Sequence, residues 1–162
     1  MDEKDLELLK IIGEDARIPL KELGTMLGVN VDEVEKRVAK LEKDKVIRSY
    51  HTVVDWQKTG EEKILAEIQV KVTPQERSGF ARICREIAKD DRVINLFVAT
   101  GEYDMFILAE AKSIHEIANF VTEKLAPKKE VQSTNTHIVL NEYKRSNVLL
   151  FEEKDKRLPL SP

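Results

Sequence analysis

The hydrophobic positions change rhythm once along the chain. Up to residue 44 they recur at helical spacing, and from residue 64 onward strand-length apolar segments alternate with helical ones. An acidic start followed by Leu6, Leu8, Leu9, Ile11 and Ile12 predicts an amphipathic helix ending near Gly13. Beyond Pro19, the segment from Leu20 to Leu27 predicts a second helix with Leu23 and Leu27 inward and Gly28 closing it. Asn30, three residues before Glu33, reads as the N-cap of a third helix to about Asp44, in a variant of the capping box. Val31, Val34, Val38 and Leu41 form its inward face, and residues 46–54 follow as β-like sequence, a small hairpin or wing. Three short helices with a tight turn between the second and third are the layout of a helix-turn-helix.

Residues 55–63 are polar, contain Gly60 and lack an apolar period, so they read as a linker between a unit at 1–54 and another at 64–162. Ile64 to Val72 alternates as a strand. A helix started by Pro74 follows, with Phe80, Ile83, Cys84, Ile87 and Ala88 on one face, and then a strand from Val93 to Thr100. The pattern repeats as a strand from Asp104 to Ala111, a helix with Ile114, Ile117, Ala118, Val121 and Leu125 inward, and a strand from Val131 to Leu140. Gly101, Glu102 and Tyr103 join the two repeats as a hairpin turn. The fold class is therefore α+β, a winged helix-turn-helix followed by a ferredoxin-like βαββαβ domain with an antiparallel sheet and both helices on one face.

That arrangement leaves a second sheet face, which should be polar if it met water. Val93 to Val98 and Met105 to Ala109 are instead apolar at both odd and even positions. A second copy of the same domain is the simplest cover, with the segment from Asn147 to Phe151 adding a further strand, so a homodimer is expected.

Composition narrows the class. With 41% hydrophobic and 35% charged residues the chain reads as a soluble globular protein. No apolar run approaches the roughly 18 residues of a membrane span, and the opening is no signal peptide, so a cytoplasmic location is expected. A lone cysteine, Cys84, agrees with a reducing compartment and reads as a core residue. The net charge of −3 argues against wholesale polyanion binding. Over residues 1–60 acids outnumber bases, so any contact with DNA must depend on a focused stripe, on dimerisation, or on both.

On the third helix Lys36, Lys40 and Lys43 line the face opposite the apolar one, where lysines suit phosphate contacts. Asp32 and Glu33 share that face. Acids there complement the helix dipole, or accept from a cytosine amino group. The pattern alone fits a solvated charged face and a groove-reading face equally. His51, His115 and His137 are widely separated, so no metal site is expected, and no phosphate loop or nucleophile elbow is present. No cofactor and no catalytic residues are expected.

Residues Asp15 to Ile18, Leu23, Leu27 to Val29, Val34 to Val38 and Leu41 to Tyr50 resemble the N-terminal winged helix-turn-helix of the Lrp/AsnC (feast/famine) transcriptional regulators. The family usually has Ser at Asn30, Gly at Lys45 and a Ser or Thr cap near Pro19. The run Gly101 to Asp104 and the late segment from Ser133 to Lys144 resemble its C-terminal domain. The resemblance implies a sequence-specific regulator, not an enzyme, that binds double-stranded DNA through Asn30, Lys36, Arg37, Lys40 and Lys43. It further implies an effector, usually an amino acid, held between neighbouring dimers by Gly101, Glu102, Tyr103, Asp104, Thr134 and Thr136, and homodimers assembling into higher oligomers such as an octamer. Asp104 could accept from the α-ammonium and the threonine hydroxyls could hold the carboxylate, although Asp104 could equally satisfy turn amides. Two other readings remain: a metabolite-binding assembly protein with degenerate DNA binding, and an enzyme resembling the siroheme decarboxylases, which share the architecture.

Overall fold

The computed structural model describes residues 1–61, 63–73 and 80–152. The chain divides into two compact units, Met1–Val53 and Val54–Pro162.

The first unit holds α1 (Glu3–Glu14), α2 (Leu20–Leu27) and α3 (Val31–Lys43). Leu8, Leu23, Leu27, Val34 and Leu41 form its core, with Val38 packed partly against them, while Val31 and Leu6 stay largely exposed. α1 ends near Gly13 as expected, running one residue past it to Glu14, and closes where the N–H of Asp15 donates to the carbonyl of Ile11 at 2.9 Å. Gly28 takes a left-handed φ of 63° and turns the chain out of α2, as expected from its sequence position.

Two departures from the usual sequence of the family that the chain resembles leave visible marks. Pro19 begins α2 with no side-chain cap. Lys45 ends α3 in the left-handed region, at φ 58°. Around it the N–H groups of Val46 and Lys45 donate back to the carbonyls of Leu41 and Glu42, at 2.9 and 3.0 Å. This is a Schellman closure, whose central position favours glycine.

The wing expected over residues 46–54 is corrected. Among the described residues this segment joins no ladder. It contains no Gly, Asn or Pro to fold it back on itself, and it is tied down by the Tyr50 hydroxyl, which donates to the Glu42 carboxylate at 2.9 Å.

The second unit carries a four-stranded antiparallel sheet in the order β2 (Val93–Val98), β3 (Met105–Ala111), β1 (Ile64–Val72), β4 (Val131–Ile138). Placing β1 and β3 at the centre is the ferredoxin-like order expected. On one face Ala66, Ile68 and Val70 of β1 stand opposite Ala109, Ile107 and Met105 of β3, with Val72 and Ala111 beyond them, all buried. α4 (Ala81–Ile87) adds Ile83 and Ile87 to this core, with Phe80 and Cys84 partly buried against it. The helix start expected at Pro74 lies outside the described residues.

The second helix departs from its expected phase. α5 (Ile114–Asn119) runs straight into a π-helical turn over Phe120–Leu125, closed by the N–H of Ala126 on the carbonyl of Val121 at 2.8 Å. The wider turn rotates the inward set. Ile117, Phe120 and Leu125 are buried and Val121 half-buried, whereas Ile114 and Ala118 face out. β4 ends two residues before Leu140, and the late segment forms its own hairpin, β5 (Lys144–Arg145) with β6 (Val148–Leu149).

The opposite sheet face carries the expected apolar surface. Phe97 pairs with Phe106 across β2 and β3, next to Leu108, and Phe97 is 56% exposed. Its β1 and β4 half is polar, with Glu67 opposite His137 and Gln69 opposite Asn135.

Candidate functional site

The turn between α2 and α3 is built on a close backbone approach. Gly24 is buried, and a Cβ there would stand 2.8 Å from the carbonyl oxygen of Val29. Only glycine lets the turn close this tightly over α2. The Nζ of Lys4 donates to the free carbonyl of Leu27 at 3.1 Å, and the Asn30 Oδ1 accepts from the N–H of Glu33 at 2.8 Å. The expected cap therefore forms, but only half of the box does, because the Glu33 carboxylate turns to Arg37.

Lys36, Lys40 and Lys43 are exposed and lie within about 60° of one another around α3. None has an ion-pair partner among the described residues. Arg37 is different. Its guanidinium donates to Asp2 at 2.7 and 2.9 Å, to Asp5 at 2.7 Å and to Glu33 at 2.8 and 3.0 Å. The side chain of Asp5 is only 8% exposed. Hydrogen bonds from Arg37, then from its own capping contact with the N–H of Asp5, hold the Asp2 carboxyl below the usual range. For Asp5 the N–H of Asp2 is the larger cause and Arg37 the second. The Arg37 guanidinium is correspondingly held charged, first by Asp2 and then by Glu33 and Asp5. Of the five residues expected at DNA, three lysines are thus exposed and unpaired among the described residues, Asn30 is a cap and Arg37 is engaged within the unit. Sequence reading missed Asp2 and Asp5. Their spacing is itself a capping-box pattern, but nothing local ties it to a residue 32 positions away.

In the second unit Gly101 adopts φ 134°, a conformation that favours glycine, and turns β2 into β3. Asp104 is anchored there. Its Oδ2 accepts from the N–H of Val72 at 2.9 Å and lies 3.5 Å from the Nζ of Lys71, while its own N–H donates to Val70 at 3.1 Å. Glu102 is exposed and Tyr103 half-buried. Thr134 and Thr136 stand opposite Val70 and Ile68, on the edge strand. Strand β1 lies between them and β3, so β4 stands two inter-strand spacings, about 10 Å, from the strand that the turn begins. One chain therefore brings Gly101, Glu102, Tyr103 and Asp104 together and leaves the two threonines apart from them.

At the other end of this sheet a cavity of about 100 Å³ is lined by Trp56, Lys63, Glu110, Glu142 and Arg145 among others. Its charges are paired: Lys63 lies 2.6 Å from Glu110 and 3.8 Å above the Trp56 ring, and Arg145 donates to Glu142. The Ser49 hydroxyl contacts His51 at 2.8 Å and Asn135 contacts His137 at 3.0 Å. No cluster of metal-ligating residues occurs among the described residues. No helix among them is long and apolar enough to cross a membrane.

Comparison with known proteins matches both units in chain order. The AsnC-type helix-turn-helix domain matches residues 1–42, and the Lrp/AsnC ligand binding domain matches residues 65–149. The chain is 37% identical to the uncharacterized HTH-type transcriptional regulator YugG of Bacillus subtilis, over 100% of this chain and 99% of that one. It is 28% identical to the HTH-type transcriptional regulator Ptr1 of Methanocaldococcus jannaschii, over 89% and 95%. Among solved structures it resembles MtbAldR (TM-score 0.78, 23% identity, 90% of this chain and 97% of that one). It also resembles a transcriptional regulator from Neisseria meningitidis in complex with L-Met (TM-score 0.67, 24% identity, 90% and 93%).

Proposed function

We propose, from the premise that this chain belongs to the Lrp/AsnC family of helix-turn-helix transcriptional regulators, that it binds double-stranded DNA in the cytoplasm as a homodimer or higher oligomer, such as an octamer, and answers to an amino acid. The observation that carries the DNA reading is the stripe of Lys36, Lys40 and Lys43, without ion-pair partners among the described residues, on the helix that follows so tight a turn. These lysines contact phosphates, and Asn30 fixes the helix start that approaches the bases. The protein is not an enzyme in this reading; its relatives are named as transcriptional regulators.

The amino acid sits at the turn from Gly101 to Asp104. Because Thr134 and Thr136 stand two strands away in the same chain, they serve a site completed by a neighbouring copy. Asp104 offers its charge to the α-ammonium in exchange for Lys71. Ligand binding then favours one assembly state through its different affinity for each.

Selection of bound fragments from genomic DNA at two salt concentrations tests the first half. Retention that weakens steeply with salt supports it, and no retention at low salt leaves the second reading, a metabolite-binding assembly protein. A melting screen against the amino acids tests the second half, since a ligand at about 100 times its Kd adds roughly 2.7 kcal/mol. Asp104→Asn keeps the contact with Val72 and removes the charge, so the shift should vanish while the unliganded melting temperature holds. A flat response from every amino acid in the wild-type chain would reject an amino-acid effector.

A further inference from the structure

Arg37 stands on the helix read as DNA-facing, yet its five hydrogen bonds all end on carboxylates of its own unit. Asp2 and Asp5 belong to the start of α1 and Glu33 to the first turn of α3, so the guanidinium joins the two helices at the end that carries Asn30. A planar fork with fixed donors suits several carboxylates at once, which a lysine could not do with the same geometry. We infer that Arg37 is a positioning residue and a charge shield: it holds three acids in place and offsets their repulsion toward DNA, and it touches no phosphate itself. The inference rests on the DNA-binding reading above.

The chemistry supports a shield over a contact. A phosphate would have to displace carboxylates 2.7 Å away, one of them on a side chain 8% exposed. Lys36, Lys40 and Lys43 are exposed on the same helix and have no competing carboxylate among the described residues. The acids also resolve how a unit with more acid than base can approach a polyanion. Glu33, at the helix start, is turned to Arg37, and of the two acids in the first turn of α3 only Asp32 lacks a side-chain partner among the described residues.

A mutant cycle separates the two roles, because a shield matters only while the acids are charged. The probe is a fluorescent 30-base-pair duplex of random sequence, titrated between 50 and 300 mM KCl, with melting followed for each variant. Arg37→Gln leaves Asp2, Asp5 and Glu33 with only the Met1 α-ammonium, 4.0 Å from Asp5, as a charged partner among the described residues, and should weaken binding roughly tenfold at low salt, the scale expected when like charge is left beside a polyanion. The same substitution combined with Asp2→Asn, Asp5→Asn and Glu33→Gln should bind at least as tightly as the wild type, with no loss of salt slope. If that combined variant stays as weak as Arg37→Gln, and each loses about 0.9 of salt slope, Arg37 is a phosphate contact and the proposal fails. Arg37→Lys guards against a folding artefact: it keeps the charge and loses the fork, so its melting temperature should fall while the folded protein binds within about twofold of the wild type. A folded Arg37→Lys that no longer binds would overturn the shield. A wild-type chain that ignores the duplex at 50 mM KCl rejects the DNA reading itself, and the inference with it.

Discussion

Lys45 illustrates how one side chain can work against an otherwise well-made helix end. Its left-handed φ of 58° sits at the centre of a Schellman closure in which both carbonyl acceptors are satisfied. An L-residue there costs on the order of 1–2 kcal/mol, partly offset by the extra chain entropy that glycine would lose on folding. Lys45→Gly should therefore raise the stability of the first unit by roughly 0.5–1 kcal/mol, read as a higher urea midpoint with an unchanged slope. An unchanged or lower midpoint would show that the lysine earns its place by a contact. The acids around Arg37 give a second expectation. Asp2 and Asp5 titrate below their ordinary range in the folded chain, so the stability they contribute is complete above about pH 4 and is lost as the pH falls through their folded values. Melting followed from pH 6 to pH 2 should show that descent, and Arg37→Gln should flatten it, most through Asp2. An equally steep descent in that variant would remove Arg37 as the cause.

At the scale of elements, legibility depended on whether local pattern and tertiary packing agreed. The helices of the first unit and the alternation in β1 were readable because each apolar face has the period of its element. The ferredoxin-like order followed from two repeated β-α-β patterns, since connection rules leave few alternatives. Two elements escaped. Residues 46–54 have strand-like composition but join no sheet among the described residues, and composition alone cannot reveal that. The π turn after α5 inserts one residue per turn, and no residue type announces it, so Phe120 was left out of the inward set and Ala118 put into it. The same limit applies to the candidate sites: the three lysines could be read from their spacing, whereas the Arg37 cluster depends on a contact between helices. Phe120 is fully buried, with the Arg92 guanidinium carbon 4.9 Å above its ring. Phe120→Ala should cost about 3–5 kcal/mol, while Ile114→Ala, on the outward face, should stay within roughly 0.5 kcal/mol. Chemical denaturation of the two variants checks this, and similar losses for both would mean that the helix keeps a regular α-helical phase.

At the scale of the whole molecule, the open sheet face is where assembly and DNA binding become one question. Phe97 and Phe106 face each other across β2 and β3 on the side that carries no helix, with Leu108 beside them. Apolar surface of this kind on a sheet is normally covered. A second copy would cover it and would link two helix-turn-helix units in one assembly. Linking two weak modules raises overall affinity by about 10²–10⁴ without any new contact, which matters for a unit whose acids outnumber its bases. Phe97→Asp tests both consequences together. At 56% exposure, with the cross-strand pair to Phe106 lost, the substitution should cost the folded chain roughly 1–2 kcal/mol and leave it folded. In an isologous interface it sets two like charges into the apolar contact, so sedimentation at micromolar concentration should show a smaller species. Affinity for an operator fragment should fall by about 100-fold or more as the second unit is lost, while the single unit keeps its salt dependence. If Phe97→Asp and Phe106→Asp each sediment like the wild type, this face is not the assembly surface; if either turns monomeric and still binds the operator at full affinity, the units act singly and the stripe on α3 must supply all of the binding.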